Sequence, residues 1–307
     1  MSKRTAIQKY PSWLKQPLPD QNKIQELRCL LQKAQLPTVC TSARCPNLGA
    51  CWEKKVATVM ILGETCTRAC RFCAVASGHP AEVDSTEPDR VAGAVRDMGL
   101  KYVVITSVTR DDLSDGGAGH FARTVAAVRR EVAGVRIEVL VPDFQGQREN
   151  LATIVAARPD VVAHNLETVQ RLSPLVRPAA DYQRSLHVLR QLRELMAVAA
   201  ANDGCSPMLV KSGLMVGLGE TSSEVEAAMA DLAATGCDIL TIGQYLAPTQ
   251  TSRHVRVDRY VAPEEFAQYR YRGQELGFRF VKSGPLVRSS FLAEEGYQEC
   301  TAELAVV

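Results

Sequence analysis

The stretch VATVMILGETCTRACRFC, residues 56–73, decides how this chain folds. Its first seven residues, VATVMIL, are mostly apolar and rich in β-branched side chains, which is typical of a buried strand. A loop with three cysteines begins a few residues later. Parallel barrels deliver their chemistry from the carboxyl ends of their strands. The stretch therefore predicts a first strand that carries the cysteine loop into a functional site.

Further apolar runs follow along the chain, and the first five are each trailed by a helix-like stretch. They lie at 101–108, 136–141, 161–167, 208–218 and 238–246, with a last run at 278–284. Strands that alternate with helices predict βαβ units and a parallel sheet. Six such units favour an α/β fold with a partial (β/α)6 barrel of the TIM type. An open doubly wound sheet is the alternative, but no G-x-G-x-x-G motif follows the first strand.

The predicted barrel divides the chain into three parts. Residues 1–55 form an N-terminal extension that bears its own cysteines, residues 56–277 form the barrel, and residues 278–307 form a C-terminal segment. The extension precedes the first strand and is expected to have no core of its own.

Polar residues follow several of the predicted strands. Because strand ends converge in a barrel, these residues are expected to line one cavity. They lie in the segments 109–112, 164–167, 216–220 and 243–249. Within the first segment, Arg110, Asp111 and Asp112 can instead form a structural ion-pair cluster at the barrel mouth.

Composition and charge exclude several classes of protein. The 307 residues are 46% hydrophobic and 23% charged, as in soluble globular proteins. With 36 basic and 34 acidic residues the formal net charge is +2, which indicates no nucleic-acid partner. No apolar run is long enough for a membrane span, and the start lacks a secretory signal core.

Cysteine usage favours metal binding over disulfides. Six of the ten cysteines lie between residues 40 and 73 of a large chain without a secretory signal. That distribution is typical of a metal-binding protein in a reducing compartment. We therefore expect a cytoplasmic protein.

Cys66, Cys70 and Cys73 are spaced Cys-x3-Cys-x2-Cys. Zinc and cubane iron–sulfur sites usually take four protein ligands. Three thiolates on a cubane leave one iron open, and an open metal position can bind a small molecule. The spacing, the loop position and Phe72 resemble the radical S-adenosylmethionine (SAM) superfamily, and we term these three cysteines the radical triad. A structural zinc site is the alternative, although zinc sites favour paired Cys-x2-Cys motifs.

Cys40, Cys45 and Cys51, here termed the auxiliary triad, lie upstream in VCTSARCPNLGACWEKK. Their spacing, Cys-x4-Cys-x5-Cys, again offers three ligands. Pro46 and Gly49 disfavour a helix there, as a loop around a cluster requires. Taken alone this set is weak evidence, because cysteine-rich extensions often hold zinc.

Both triads, together with several other segments, resemble the lipoyl synthase family. The matching segments run in order over nearly the whole chain: RCPNLGACW, TRACRFCAV, SVTRDDLSDGGAGHF, HNLETV, KSGLMVGLGET, DILTIGQYLAPT and SGPLVRSS. The resemblance implies a sulfurtransferase of lipoate biosynthesis with two [4Fe-4S] clusters and SAM. Other radical SAM enzymes, such as biotin-forming or methylthio-transferring ones, are the alternatives.

The reaction that the resemblance implies is the insertion of two sulfur atoms into a protein-bound octanoyl chain. The cluster on the radical triad would generate two 5′-deoxyadenosyl radicals, one to abstract hydrogen at C6 and one at C8. The cluster on the auxiliary triad would be consumed as the sulfur source. A saturated chain offers no acid or base handle, so proton-transfer catalysis cannot begin there.

The resemblance also implies a fourth ligand for the auxiliary cluster. In that family a serine of a C-terminal Arg-Ser-Ser-Tyr motif binds the cluster, and here the segment reads Arg288, Ser289, Ser290 and Phe291. The ligand role therefore falls on Ser290, with Ser289 as the alternative and Cys300 as a rival. Phe291 departs from the family tyrosine and removes one hydroxyl beside the ligand.

Five residues in or near strand ends are the candidates for binding SAM: Thr106, Ser107, Asn165, Glu167 and Lys211. Glu167 is suited to the ribose, because a carboxylate accepts hydrogen bonds from both hydroxyls. Structural roles are the alternatives. The Ser107 hydroxyl can satisfy the backbone, and Glu167 can cap the next helix.

The partners that the resemblance implies are proteins. The substrates would be octanoylated lipoyl carrier domains, namely E2 subunits of 2-oxoacid dehydrogenases and the H protein of glycine cleavage. An electron donor such as ferredoxin or flavodoxin would reduce the cluster, and repair proteins would rebuild the spent one. No nucleic acid or membrane partner is expected.

Overall fold

The computed structural model describes residues 10–15, 21–38, 45, 47, 51, 58–203 and 207–302. Seven parallel strands form the main sheet, in an order that follows the chain. They are β1 (Thr58–Ile61), β4 (Tyr102–Ser107), β5 (Arg136–Leu140), β6 (Val161–Ala163), β7 (Leu209–Val216), β8 (Ile239–Gln244) and β9 (Phe280–Gly284). A small parallel pair, β2 (Thr65–Cys66) and β3 (Ala76–Ser77), lies within the cysteine loop.

Helices precede, connect and follow the strands of the main sheet. They are α1 (Gln21–Lys33), α2 (Glu87–Asp97), α3 (Ala118–Glu131), α4 (Arg148–Ala156), α5 (Ser173–Val176), α6 (Tyr182–Asp203), α7 (Ser222–Ala233), α8 (Pro263–Glu275) and α9 (Ala293–Ala302). Short 3-10 turns lie at Ser12–Leu14, Phe144–Gly146 and Gln170–Leu172. Among the described helices, none has the length and apolar character needed to cross a bilayer.

The predicted partial barrel is confirmed, with one strand more than the sequence indicated. β9 pairs with β8, and Phe280 lies opposite Ile239. The sheet therefore continues into residues predicted to form a separate C-terminal segment. β1 and β9 are the two edges of this sheet in the order of strands that the structure describes. The domain boundaries themselves stay a prediction.

Local sequence explains why these elements form. β4 and β8 are buried along almost their whole length, as strands covered on both faces of a barrel must be. α7 begins with a capping box, in which the Thr221 hydroxyl accepts from the Glu224 amide and the Glu224 carboxylate accepts from the Thr221 amide. Such a cap satisfies two amide groups that the first helical turn leaves unpaired.

Helix α9 closes the amino-terminal end of the barrel. Its buried residues Ala293, Tyr297 and Cys300 join one apolar cluster with the residues that begin four strands. Those four are Tyr102, Val161, Leu209 and Ile239. The opposite, carboxyl-terminal end is therefore the one left for a cavity.

The described part of the N-terminal extension packs on the barrel rather than on itself. Thr38 forms an antiparallel bridge with Val59 of β1, and the Met60 amide donates to the Pro37 carbonyl. Leu31 belongs to the main apolar core. The described part of the extension therefore shares the core of the barrel, while the extension as a unit without a core of its own stays a prediction.

Candidate iron–sulfur and cofactor site

A cavity of about 590 Å³ opens at the carboxyl ends of the strands. Its wall brings together residues that the sequence assigned to three separate roles. They are the radical triad (Cys66, Cys70, Cys73), the auxiliary group (Cys45, Ser289, Ser290) and four of the candidates for SAM (Thr106, Ser107, Asn165, Glu167). Residues predicted to hold each of the two clusters therefore line one space.

Several predicted residues lie elsewhere. Cys40 is outside the described residues, and Cys51 packs against the main core and is not among the residues that line the cavity. Cys300 is fully buried in the apolar cluster at the opposite end of the barrel, which disfavours it as a rival ligand. The turn at 216–220 does not line the cavity. There the Glu220 carboxylate accepts from the amides of Gly217 and Leu218.

The radical triad is held in a tightly bonded loop. The Cys66 thiol sulfur accepts from the amides of Arg68 at 3.4 Å and Thr109 at 3.3 Å, and the Cys73 amide donates to the Cys70 carbonyl. Burial raises the pKa of Cys70 above its usual value and raises that of Cys73 to about 11. Both groups are therefore thiols at neutral pH, and metal binding must displace their protons.

A cubane cluster needs a less convergent arrangement of ligands in this loop than a single metal ion does. In the part of the chain that the structure describes, no three Cys, His, Asp or Glu side chains gather closely enough for one ion. A cubane places each thiolate on a different iron, so its ligands need not converge on a point.

Arg68, inside the cysteine loop, is the strongest anchor of the site. Its guanidinium binds Asp111 at 2.7 and 2.8 Å and Asp143 at 2.7 and 3.0 Å. Burial alone would raise the pKa of Asp143, but the hydrogen bonds and charge of Arg68 outweigh it and lower the pKa below its usual range. The loop is thereby tied to the ends of β4 and β5. Arg110 pairs with Asp112 at 2.8 Å, which confirms an ion-pair cluster at the barrel mouth.

The loop after β8 clamps the cysteine loop from the other side. His254 is buried, and its Nε2 lies 3.1 Å from the Cys73 carbonyl. Since a carbonyl only accepts, Nε2 carries the hydrogen, and Nδ1 accepts from the Thr249 hydroxyl at 2.7 Å. The Val255 amide also donates to the Arg71 carbonyl. These bonds fix the position of the third cysteine.

On the auxiliary side, the N-terminal extension and the C-terminal segment meet. The Asn47 amide nitrogen donates to the Leu286 carbonyl at 2.5 Å, and the Cys51 amide donates to the Asn47 carbonyl. Burial lowers the pKa of Arg288, while the electrostatic interaction with Cys45 opposes that effect. The Arg-Ser-Ser segment thus lies beside the described cysteines of the auxiliary triad.

The cavity wall fits a polar cofactor. The Ser107 hydroxyl is buried and has no hydrogen-bond partner among the described residues, which leaves it free for a bound group. The Thr106 hydroxyl, in contrast, donates to the Leu140 carbonyl at 2.9 Å. Orphaned polar groups in buried walls require a partner, and a nucleoside with several hydroxyls supplies one.

Glu167 is held in an unusual backbone conformation, with φ of 71°. Its amide donates to the Gly213 carbonyl at 2.9 Å, and its carbonyl accepts from the Met215 amide at 2.8 Å. Burial raises the pKa of its carboxyl group, although the charge of Arg177 and a hydrogen bond from Asn165 oppose that effect. Strained conformations of this kind cluster at binding sites. Helix capping by Glu167, the alternative from sequence, is not among its contacts.

Lys211 is placed below the cavity rather than in its wall. Its ammonium group lies 2.8 and 3.0 Å from the two carboxylate oxygens of Glu138, and both side chains are almost fully buried. The Tyr102 hydroxyl donates to the same carboxylate at 2.7 Å. This geometry supports a structural role in the barrel interior. The assignment of Lys211 to SAM stays a prediction that these contacts do not favour.

Sequence reasoning missed four residues of the site, namely Arg68, Asp143, Arg177 and His254. Asp143 follows the end of β5, so the strand-end rule could have found it. Arg68 lies between two cysteines of the motif, but its partners lie 43 and 75 residues away along the chain, so the sequence did not indicate the ion pairs. Arg177 and His254 lie in connecting segments that give no signal in the sequence.

A partial parallel barrel that presents a Cys-x3-Cys-x2-Cys loop beside a cavity at the carboxyl ends of its strands defines a radical SAM enzyme. The family model of the radical SAM superfamily matches residues 60–232. A relative named lipoyl synthase, from Rubrobacter xylanophilus, is 53% identical over 93% of this chain and 85% of its own length. Another of that name, from Thermus thermophilus, is 51% identical over 95% of this chain and 87% of its own. This chain belongs to the lipoyl synthase family.

A solved structure supports the fold independently. Methylornithine synthase (PylB) superposes with a TM-score of 0.53 at 14% identity, over 85% of this chain and 82% of that one. Identity this low shows a shared fold alone. The predicted family, fold class and enzyme class are thus confirmed, as are the [4Fe-4S] and SAM cofactors that the family implies.

Proposed function

We propose that this chain inserts two sulfur atoms, at C6 and C8, into an octanoyl chain carried by a protein. The observation that supports this most is the single cavity lined by the radical triad, Cys45 and Ser290. A sulfur donor and a radical source must both reach the same alkyl chain. Only a shared cavity allows this without release of a reactive intermediate.

The residues divide the work between two halves of the cavity. The radical triad would hold one cluster, with one iron left open for SAM, and the auxiliary triad and Ser290 would hold the other. When bound, these groups supply the 5′-deoxyadenosyl radicals and the sulfur. Ser107, Asn165 and Glu167 orient SAM, and the surrounding wall keeps water from the reacting carbons.

The partners follow from this reaction. The substrates are lipoyl carrier proteins, and we propose the E2 subunits of 2-oxoacid dehydrogenases and the glycine cleavage H protein among them. A ferredoxin or flavodoxin supplies electrons, and repair proteins rebuild the auxiliary cluster. We place the enzyme in the cytoplasm, where thiolate ligands stay reduced.

Anaerobic reconstitution followed by single turnover tests the proposal. The loaded chain should hold about eight irons, and zinc-loaded material would be colourless. Incubation with SAM, dithionite and an octanoylated carrier peptide should give a peptide that gains two sulfurs and loses two hydrogens, read by mass spectrometry. Deoxyadenosine formed without any thiolated peptide would refute sulfur insertion by this chain.

A further inference from the structure

A chain of side-chain hydrogen bonds joins the auxiliary side of the cavity to the cofactor side. The Ser289 hydroxyl donates to the Asn165 amide oxygen at 3.3 Å. The Asn165 amide nitrogen donates to a Glu167 carboxylate oxygen at 3.1 Å. Both ends of one amide are thus engaged, and the Ser289 bond helps to decide which end faces Glu167.

The backbone around this chain of bonds is rigid. The Arg177 guanidinium donates to the carbonyls of Asn165 at 3.2 Å and Leu166 at 3.0 Å, and Glu167 is bonded to β7 through both its amide and its carbonyl. The main-chain course of 165–167 is therefore fixed. What remains adjustable is the Asn165 side chain, and Ser289 supplies its contact from outside this segment.

Two glycines make the approach possible. A Cβ at Gly213 would lie 3.1 Å from the Asn165 amide oxygen and 2.7 Å from the Thr241 hydroxyl. A Cβ at Gly243 would collide with the Val287 carbonyl, which covers this glycine. β7 and β8 therefore have no side chain at the two positions where the Asn165 side chain and the C-terminal segment pack against them.

We propose that Ser289 is a positioning residue for SAM, acting through Asn165 on Glu167, and that it couples SAM affinity to the state of the auxiliary cluster. The inference rests on the proposed function. Ser290 would bind the auxiliary cluster. Its neighbour Ser289 would orient, through Asn165, the Glu167 carboxylate that binds SAM. Movement of residues 287–290 when that cluster is consumed would release Asn165 and weaken SAM binding. By linkage, bound SAM favours the engaged position of this segment to the same extent.

Adjacent serines with opposite roles give a sharp experiment. SAM binding is measured by anaerobic ultrafiltration on reconstituted, oxidised protein, without reductant, for Ser289→Ala, Ser289→Thr and Ser290→Ala. Ser289→Ala should weaken SAM binding about five- to tenfold, the effect of one neutral hydrogen bond, and leave the auxiliary Mössbauer signal and the melting temperature unchanged. Ser289→Thr keeps the hydroxyl and should restore binding. Ser290→Ala should alter the auxiliary signal.

Each result has a distinct meaning. Wild-type SAM affinity in Ser289→Ala overturns the positioning role. Loss of the auxiliary signal in Ser289→Ala, with Ser290→Ala unaffected, makes Ser289 the ligand and also overturns it. Because binding is read without turnover, a failure of sulfur insertion in the wild-type chain would leave this measurement interpretable.

Discussion

Replacing Lys211 by methionine decides whether this lysine is a cofactor ligand or part of the barrel interior. The sequence assigned it to SAM, whereas the structure pairs it with Glu138 at 2.8 and 3.0 Å. The two side chains are only 2% and 1% exposed. Methionine fills a similar volume and leaves Glu138 with the Tyr102 hydroxyl as its remaining partner in this structure.

The expected loss of stability follows from the buried charge of Glu138, which Lys211→Met leaves without its ion-pair partner. Removing one member of a buried ion pair destabilises a protein by about 3–5 kcal/mol. Adding Glu138→Gln removes the orphaned charge and keeps an acceptor for Tyr102, so the double variant should lie within about 1–2 kcal/mol of wild type. SAM affinity of the folded, reconstituted variants should remain that of wild type.

Two measurements check this prediction. Urea unfolding of the cluster-free chains, followed by far-UV circular dichroism, gives the free energies for both single variants and the double variant. SAM binding is measured on the reconstituted proteins. A Lys211→Met chain with wild-type stability and tenfold weaker SAM binding would refute the structural reading and restore the assignment made from sequence.

Three further predictions concern the loops around the cavity. Cys66→Ala should abolish deoxyadenosine formation while about four irons remain on the auxiliary side; substantial deoxyadenosine would contradict the triad assignment. Gly243→Ala should displace Val287 and lower the iron content from about eight to about four per chain, and a full complement in iron analysis would count against it. Arg68→Ala should lower the free energy of unfolding by about 2–4 kcal/mol at pH 7, because Asp143 loses the guanidinium with which it pairs. Arg68 lowers the pKa of Asp143 against the effect of burial, so this stabilisation is present above about pH 4 and is lost as the pH falls. The difference in the free energy of unfolding between Arg68→Ala and wild type, measured in urea, should decrease below pH 4. A difference that does not change with pH would show that the titration of Asp143 is not responsible.

Sequence predicted most of the fold because strand and helix signals are local. The alternation of apolar runs and helix-like stretches placed the strands to within a few residues, for example 101–108 against the observed Tyr102–Ser107. The last run was assigned to a separate segment because local signals do not show which strand a run pairs with. In the structure that run is β9, which pairs with β8.

The candidate site divides in the same way. Cysteine spacing is written in consecutive residues, so the radical triad and its loop after the first strand could be identified directly. The strand-end rule placed Thr106, Ser107, Asn165 and Glu167 in the cavity wall. The assignment of Lys211 to SAM stays a prediction that its contacts with Glu138 do not favour. Alternation tells which strand residues face inward but not how deep in the barrel each one lies.

The sequence by itself determined the class of fold and the family and predicted the cysteine ligands of the radical cluster, because each rests on short-range patterns and matching segments. Only the tertiary structure decided which distant side chains meet. Arg68 reaches Asp143 across 75 residues, and Ser289 reaches Asn165 across 124. Such pairs depend on the register and curvature of the whole sheet, which bring strand ends together regardless of their separation along the chain.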